Sequence, residues 1–136
     1  MAEELTVYDN NSMVASDSYG DGCFCTVDLN TEEGQNVALV ALNGATPLKD
    51  LGDKPFLMKD IIQEPGTRAV SNTPCVNTYI ISDKKKVYFT QSDGIARSVF
   101  RFMKFKKDAF GGGKGVMVKV GETPTKNGTM KFLIPA

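Results

Sequence analysis

The chain of 136 residues has no histidine, no tryptophan and only three cysteines. Without imidazole, the Cys–His and Ser–His pairs that activate most nucleophiles cannot be assembled. The same absence removes a common zinc ligand. A four-ligand site would have only Cys23, Cys25, Cys75 and a carboxylate to draw on. An odd and sparse set of thiols is no disulfide framework; it suits a reducing compartment, where free cysteine acts mostly as a small buried hydrophobe. No apolar run approaches the roughly 20 residues of a membrane-spanning helix. Met1–Glu4 carry two acids where a secretory signal would carry basic residues. The expectation is a cytoplasmic protein with no membrane partner.

Other catalytic equipment is missing as well. Gly111-Gly112-Gly113-Lys114-Gly115 lacks the hydroxyl residue that follows the lysine of a phosphate-binding loop and holds magnesium. It reads as a flexible link. Asp50, Asp53 and Asp60 are scattered over a loop and a strand rather than clustered for metal-assisted chemistry. The chain is expected to be no enzyme, with no cofactor and no small-molecule substrate.

What is present is an ordinary globular composition, 41% apolar and 24% charged, at a length that suits one domain. The net charge of zero hides a segregation. Residues 1–60 hold three basic and eleven acidic side chains, whereas residues 61–136 hold thirteen basic and five acidic. Such asymmetry fits a charged partner, and equally fits two halves that attract each other.

The order of elements is mostly β. Residues 1–30 read as an acidic arm that can add an edge strand, and 31–136 as the domain. Asn30–Gly34 reads as a turn. Asn36–Leu42, a continuous apolar run ended by Asn43-Gly44, reads as a buried strand. A loop or single helical turn through Thr46–Asp53 leads to a second strand, Phe56–Ile62, stopped by Pro65-Gly66. Cys75–Ser82 and Val87–Thr90 form a hairpin around Asp83-Lys84-Lys85-Lys86. Ser92 or Asp93 caps an amphipathic helix that ends near Lys107, with Ile95, Ala96, Val99, Phe102 and Met103 on one face and Arg97, Arg101 and Lys104 on the other. Phe100 and Phe105 broaden its apolar side. A strand through Val99–Phe105 is the rival reading. A last hairpin joins Val116–Val120 to Thr129–Ile134, its turn around Asn127-Gly128. This order predicts an OB-fold-like five-stranded Greek-key barrel with one helix and an N-terminal extension.

Basic and aromatic residues interleave in the second half, as sequence-tolerant binding of a single nucleic-acid strand requires. The candidate nucleic-acid-binding set is Arg68, Tyr79, Lys84, Lys86, Tyr88, Lys119, Lys126 and Lys131. Tyr79 and Tyr88 would supply stacking faces on one sheet surface with Lys119 and Lys131. Arg68 would close over them. Phe89, Phe102, Phe105 and Phe132 read as core, and the Arg97, Arg101 and Lys104 face as a solvated helix surface.

Three stretches, Asn36–Gly44, Pro47–Asp53 and Phe56–Ile62, together with the hairpin Tyr79–Thr90, the Ser92-Asp93-Gly94 helix start and the closing hairpin from Lys119-Val120 to Phe132-Leu133, resemble small tailed-phage single-stranded DNA-binding proteins. The resemblance covers roughly residues 36–134. It implies an OB-fold, protection of displaced strands during phage genome replication in the host cytoplasm, and no enzymatic activity. The acidic segment before residue 30 departs from the pattern, and Leu133-Ile134-Pro135-Ala136 lacks the acidic tail with which cellular counterparts recruit partners. Two further readings stand beside it. One is a phage structural or decoration domain that self-associates. The other is a small inhibitor of a host protein whose acidic half mimics nucleic acid.

Overall fold

Thr31 caps a helix. In the computed structural model, which describes residues 24–83 and 86–136, the Thr31 hydroxyl accepts from the Gly34 amide at 3.0 Å. Helix α1 then runs Glu32–Asn43. The run Asn36–Leu42, expected as a strand, is therefore helical. Periodicity alone could not decide a continuous apolar run. Local chemistry does: a capping threonine, Glu32 and Glu33 at the positive end of the helix dipole, and alanines at 38 and 41. Gly34, Ala38 and Ala41 form the buried stripe. A side chain at Gly34 would collide with the Asp28 carbonyl, so the helix start lies against the preceding turn. Val37, Leu39 and Val40 face outward.

The described residues are mainly β, with eight strands in two sheets and a second α-helix. The strands are β1 (Phe24–Cys25), β2 (Thr46–Pro47), β3 (Phe56–Met58), β4 (Asp60–Thr67), β5 (Pro74–Ile81), β6 (Val87–Thr90), β7 (Val116–Thr125) and β8 (Gly128–Pro135). A 3-10 turn, Leu48–Leu51, follows β2. One sheet has the order β1-β4-β5-β6-β2 and the other β3-β7-β8. The Lys59 amide bonds the Ile81 carbonyl at 2.8 Å, so the chain leaves one sheet and enters the other across a single residue. The two sheets do not close into a barrel among the described residues. Where a single barrel with one helix is expected, the described residues form two linked sheets and two α-helices.

β4 also runs through Pro65-Gly66 instead of stopping there. Among the described residues, β4 beyond Gln63 pairs with β5 alone, and such an edge tolerates proline.

Alternation along β4 and β5 splits the interior in two. Ile61 and Ile80 point to one core with Met58, Val99, Val118 and Leu133. Ile62, Tyr79 and Ile81 point to the other with Cys25, Val27, Ala38 and Ala41. The five-stranded sheet is therefore a middle layer, with α1 on one side and the three-stranded sheet plus the second helix on the other. That second helix, α2, spans Asp93–Phe105. Ser92 caps it by accepting from the Ile95 amide at 3.2 Å. Ile95, Ala96, Ser98 and Val99 are buried while Arg97, Arg101 and Lys104 are exposed, as the helical pattern predicts. The rival strand through Val99–Phe105 does not occur. Buried Gln63 ties α2 to the sheet by donating to the Ala96 carbonyl at 3.1 Å. Gly94 lies so close to β8 that a Cβ there would collide with the Lys131 carbonyl.

The glycine run is packed rather than a free link. The Gly111 amide bonds Asp60 Oδ1 at 2.9 Å, and the Gly115 amide bonds the Ala109 carbonyl at 2.8 Å. Gly115 adopts φ +77° beside the Met58 carbonyl, which a side chain would crowd. No helix among the described residues is long and apolar enough to cross a membrane.

Candidate nucleic-acid interface

The eight candidate residues do not form one surface. Tyr79 is buried and stacks at 5.1 Å on Phe89 in the core beneath α1. Tyr88 is half-buried and meets Phe56 at 5.3 Å on the opposite side of the same sheet. One nucleic-acid strand cannot stack on both. Burial first, then the Glu64 carboxylate and a hydrogen bond to it, push the Tyr79 phenol above its usual value.

Arg68 is occupied by its own chain. Its guanidinium pairs with Asp93 at 3.1 Å and donates to the Gln91 carbonyl at 3.1 Å. It braces the entry to α2 against the β4–β5 loop rather than closing over a groove. Lys84 lies outside the described residues. Lys86 is exposed in the β5–β6 turn. It sits at the other end of β5 from Arg68, roughly 23 Å away along the strand. Lys131 stands opposite Glu122 on the row that also carries Val120 and Leu133. With Lys49, Asp53 and Glu122 it borders a cavity of mixed charge, about 580 Å³. Lys119 belongs to the other row of β7, and Lys126 sits at the exposed hairpin tip.

That other row leads to the most suggestive surface. Met117, Lys119, Gly121 and Thr123 alternate onto the outward face of β7, opposite Ile134, Phe132 and Met130 of β8. The Phe132 ring lies over Gly121, which has no side chain to displace it. Between this row and α2 runs a groove of about 690 Å³. Its sheet wall is Thr123, Met130, Phe132, Leu133 and Pro135. Its helix wall includes Arg97, Arg101 and Phe105, one stripe at spacing i, i+4, i+8, and Lys106 just beyond. Phe105, expected on the apolar side of the helix, is 78% exposed. Among the described residues, the groove lining contains no carboxylate. Past Phe105 and Lys106 the surface continues along Lys104, Lys107 and Asp108 to Gly115 and Met117.

The sequence pattern alone assigns Arg97 and Arg101 to a solvated face and Phe105 and Phe132 to the core. The signal that could have found them is the Arg97–Arg101–Phe105 stripe, which places an aromatic in line with two guanidinium groups. Of the eight candidates, Lys119 shares a row with Phe132, and Lys126 ends the same hairpin.

No protein family, curated protein or solved structure matches the chain. The functional reading therefore rests on the chemistry of the groove.

Proposed function

We propose that this protein binds single-stranded DNA, with little sequence preference, along the groove between α2 and β8. The observation that carries the reading is the pairing of exposed Phe105 and half-buried Phe132 with Arg97, Arg101 and Lys106 along one groove whose described lining holds no carboxylate. Bases stack on aromatic rings whatever their identity, each ring contributing about 1–3 kcal/mol, while guanidinium and ammonium groups track the phosphates. Arginine also stacks on bases through its planar face. Lys119 and Lys126 extend the positive path along the hairpin.

The finer parts of the reading come from the phage resemblance. An OB-type relative opened into two sheets is supported by β3–β4, which changes sheet without a loop, and by a helix between β6 and β7. The setting would be phage genome replication in the host cytoplasm, coating displaced strands.

The test is fluorescence anisotropy with a labelled thymine oligonucleotide of about 30 nucleotides, longer than the roughly 4–16 one OB domain covers. A duplex of equal length runs beside it. Salt-sensitive binding that favours the single strand is expected. No binding at low salt, together with concentration-dependent assembly, would replace the reading with a structural role.

A further inference from the structure

The acidic half of the chain has one part that can reach the groove. Residues 1–23, outside the described residues, carry Glu3, Glu4, Asp9, Asp17 and Asp21 and not one lysine or arginine. They also carry Leu5, Val7 and Tyr8. Among the described residues the groove offers the complement: Arg101 and Lys106 beside Phe105 and Phe132, with no carboxylate in its lining. The acids of α1 are on the far side of the five-stranded sheet, and Asp108 stands in the turn at the groove's end.

The root of the acidic segment lies near one end of the groove. Thr26, two residues after Phe24, donates to Asp60 Oδ1 at 2.8 Å, and the Gly111 amide donates to the same oxygen at 2.9 Å. The turn Lys107–Ala109 directly precedes that loop. The chain thus enters the fold beside the lysine-rich end of the groove. Twenty-three residues reach up to roughly 75 Å when extended, whereas the 13 residues of α2 run only about 20 Å. Length does not prevent contact along the whole groove.

We infer that the acidic segment 1–23 occupies this groove in cis and competes there with single-stranded DNA. The inference rests on the single-stranded-DNA reading of the groove. The segment offers carboxylates where phosphates would lie and apolar side chains where bases would stack. A short tether gives an effective concentration in the millimolar range. A weak electrostatic contact, with a dissociation constant of about 0.1 mM, then lowers apparent DNA affinity about tenfold.

The experiment uses the full chain in three forms: wild type, E3Q/E4Q/D9N/D17N/D21N, and a control, E32Q/E33Q/D50N/D53N, that removes exposed acids elsewhere. Each is titrated against the labelled thymine oligonucleotide from low to moderate salt. About tenfold tighter binding by the first variant alone, with the gap narrowing as salt rises, is expected. A synthetic peptide of residues 1–23 should then displace the oligonucleotide from that variant. Equal tightening in both variants would mean a net-charge effect and overturn the inference, as would wild-type affinity throughout with an inert peptide. Absence of binding by all three forms would instead remove the DNA reading itself, and the inference with it.

Discussion

Tyr79 and Tyr88 stand on opposite faces of one sheet, each ring against a phenylalanine: Tyr79 on Phe89 and Tyr88 on Phe56. Their first role is packing. Truncating a buried aromatic costs about 3–5 kcal/mol. Tyr79→Ala is expected to lose stability in that range, and Tyr88→Ala less, since its ring is partly exposed. Urea unfolding measures both. A loss under 1 kcal/mol at Tyr79 would contradict its place in the core.

The raised Tyr79 phenol links stability to alkaline pH. A folded-state pKa above the unfolded value means that the folded chain holds this proton more tightly. The contribution is fully present below the unfolded value of about 10 and is lost as pH rises through the folded one. Wild type is expected to lose stability relative to Tyr79→Phe above pH 10, with a constant difference between pH 7 and 9. Parallel stability curves across the whole range would count against the shift.

Gly94 is fixed by close approach, since a Cβ would strike the Lys131 carbonyl. Gly94→Ala should push α2 away from β8, at about 1–3 kcal/mol, the usual range for overpacking. Thermal unfolding reads the cost. DNA affinity should also fall, because the two groove walls separate. An unchanged melting temperature would show that this contact is slack.

Asp60 joins two remote segments through one carboxylate oxygen, which accepts from Thr26 and Gly111. Hydrogen bonds to charged groups contribute about 1.5–3 kcal/mol. Asp60→Ala is expected to lose a comparable amount in urea unfolding. Asp60→Asn, which keeps an accepting oxygen, should recover part of it. Equal losses in the two variants would point to charge rather than geometry.

How far the sequence reveals the fold depends on the kind of signal. The α2 register was legible because Ile95, Ala96 and Val99 recur at helical spacing and Ser92 supplies the cap. The β5–β6 and β7–β8 hairpins were legible from β-forming runs bounded by turn residues. Helix α1 was not, because Asn36–Leu42 is apolar all round and shows no period; the deciding information lay in Thr31, read as part of a turn. The sheet switch at Lys59 has no local marker. The candidate site was partly legible. Basic and aromatic residues interleave in the second half of the sequence, but strand parity puts Tyr79 and Tyr88 on different faces. Only the packed helix reveals that Phe105 is exposed while Phe102 and Met103 are partly buried.

The most direct measurement compares wild type, Phe105→Ala, Phe132→Ala and Arg101→Ala in anisotropy titrations with the labelled thymine oligonucleotide across a salt series. Phe105 is exposed, so its loss should move stability by no more than about 0.5 kcal/mol. Each phenylalanine variant should weaken binding by about 1–3 kcal/mol on every sequence tried. Arg101→Ala should lower the salt slope by about 0.7, one phosphate contact. Wild-type affinity and slope in all three folded variants would contradict the assignment of the α2–β8 groove as the DNA site.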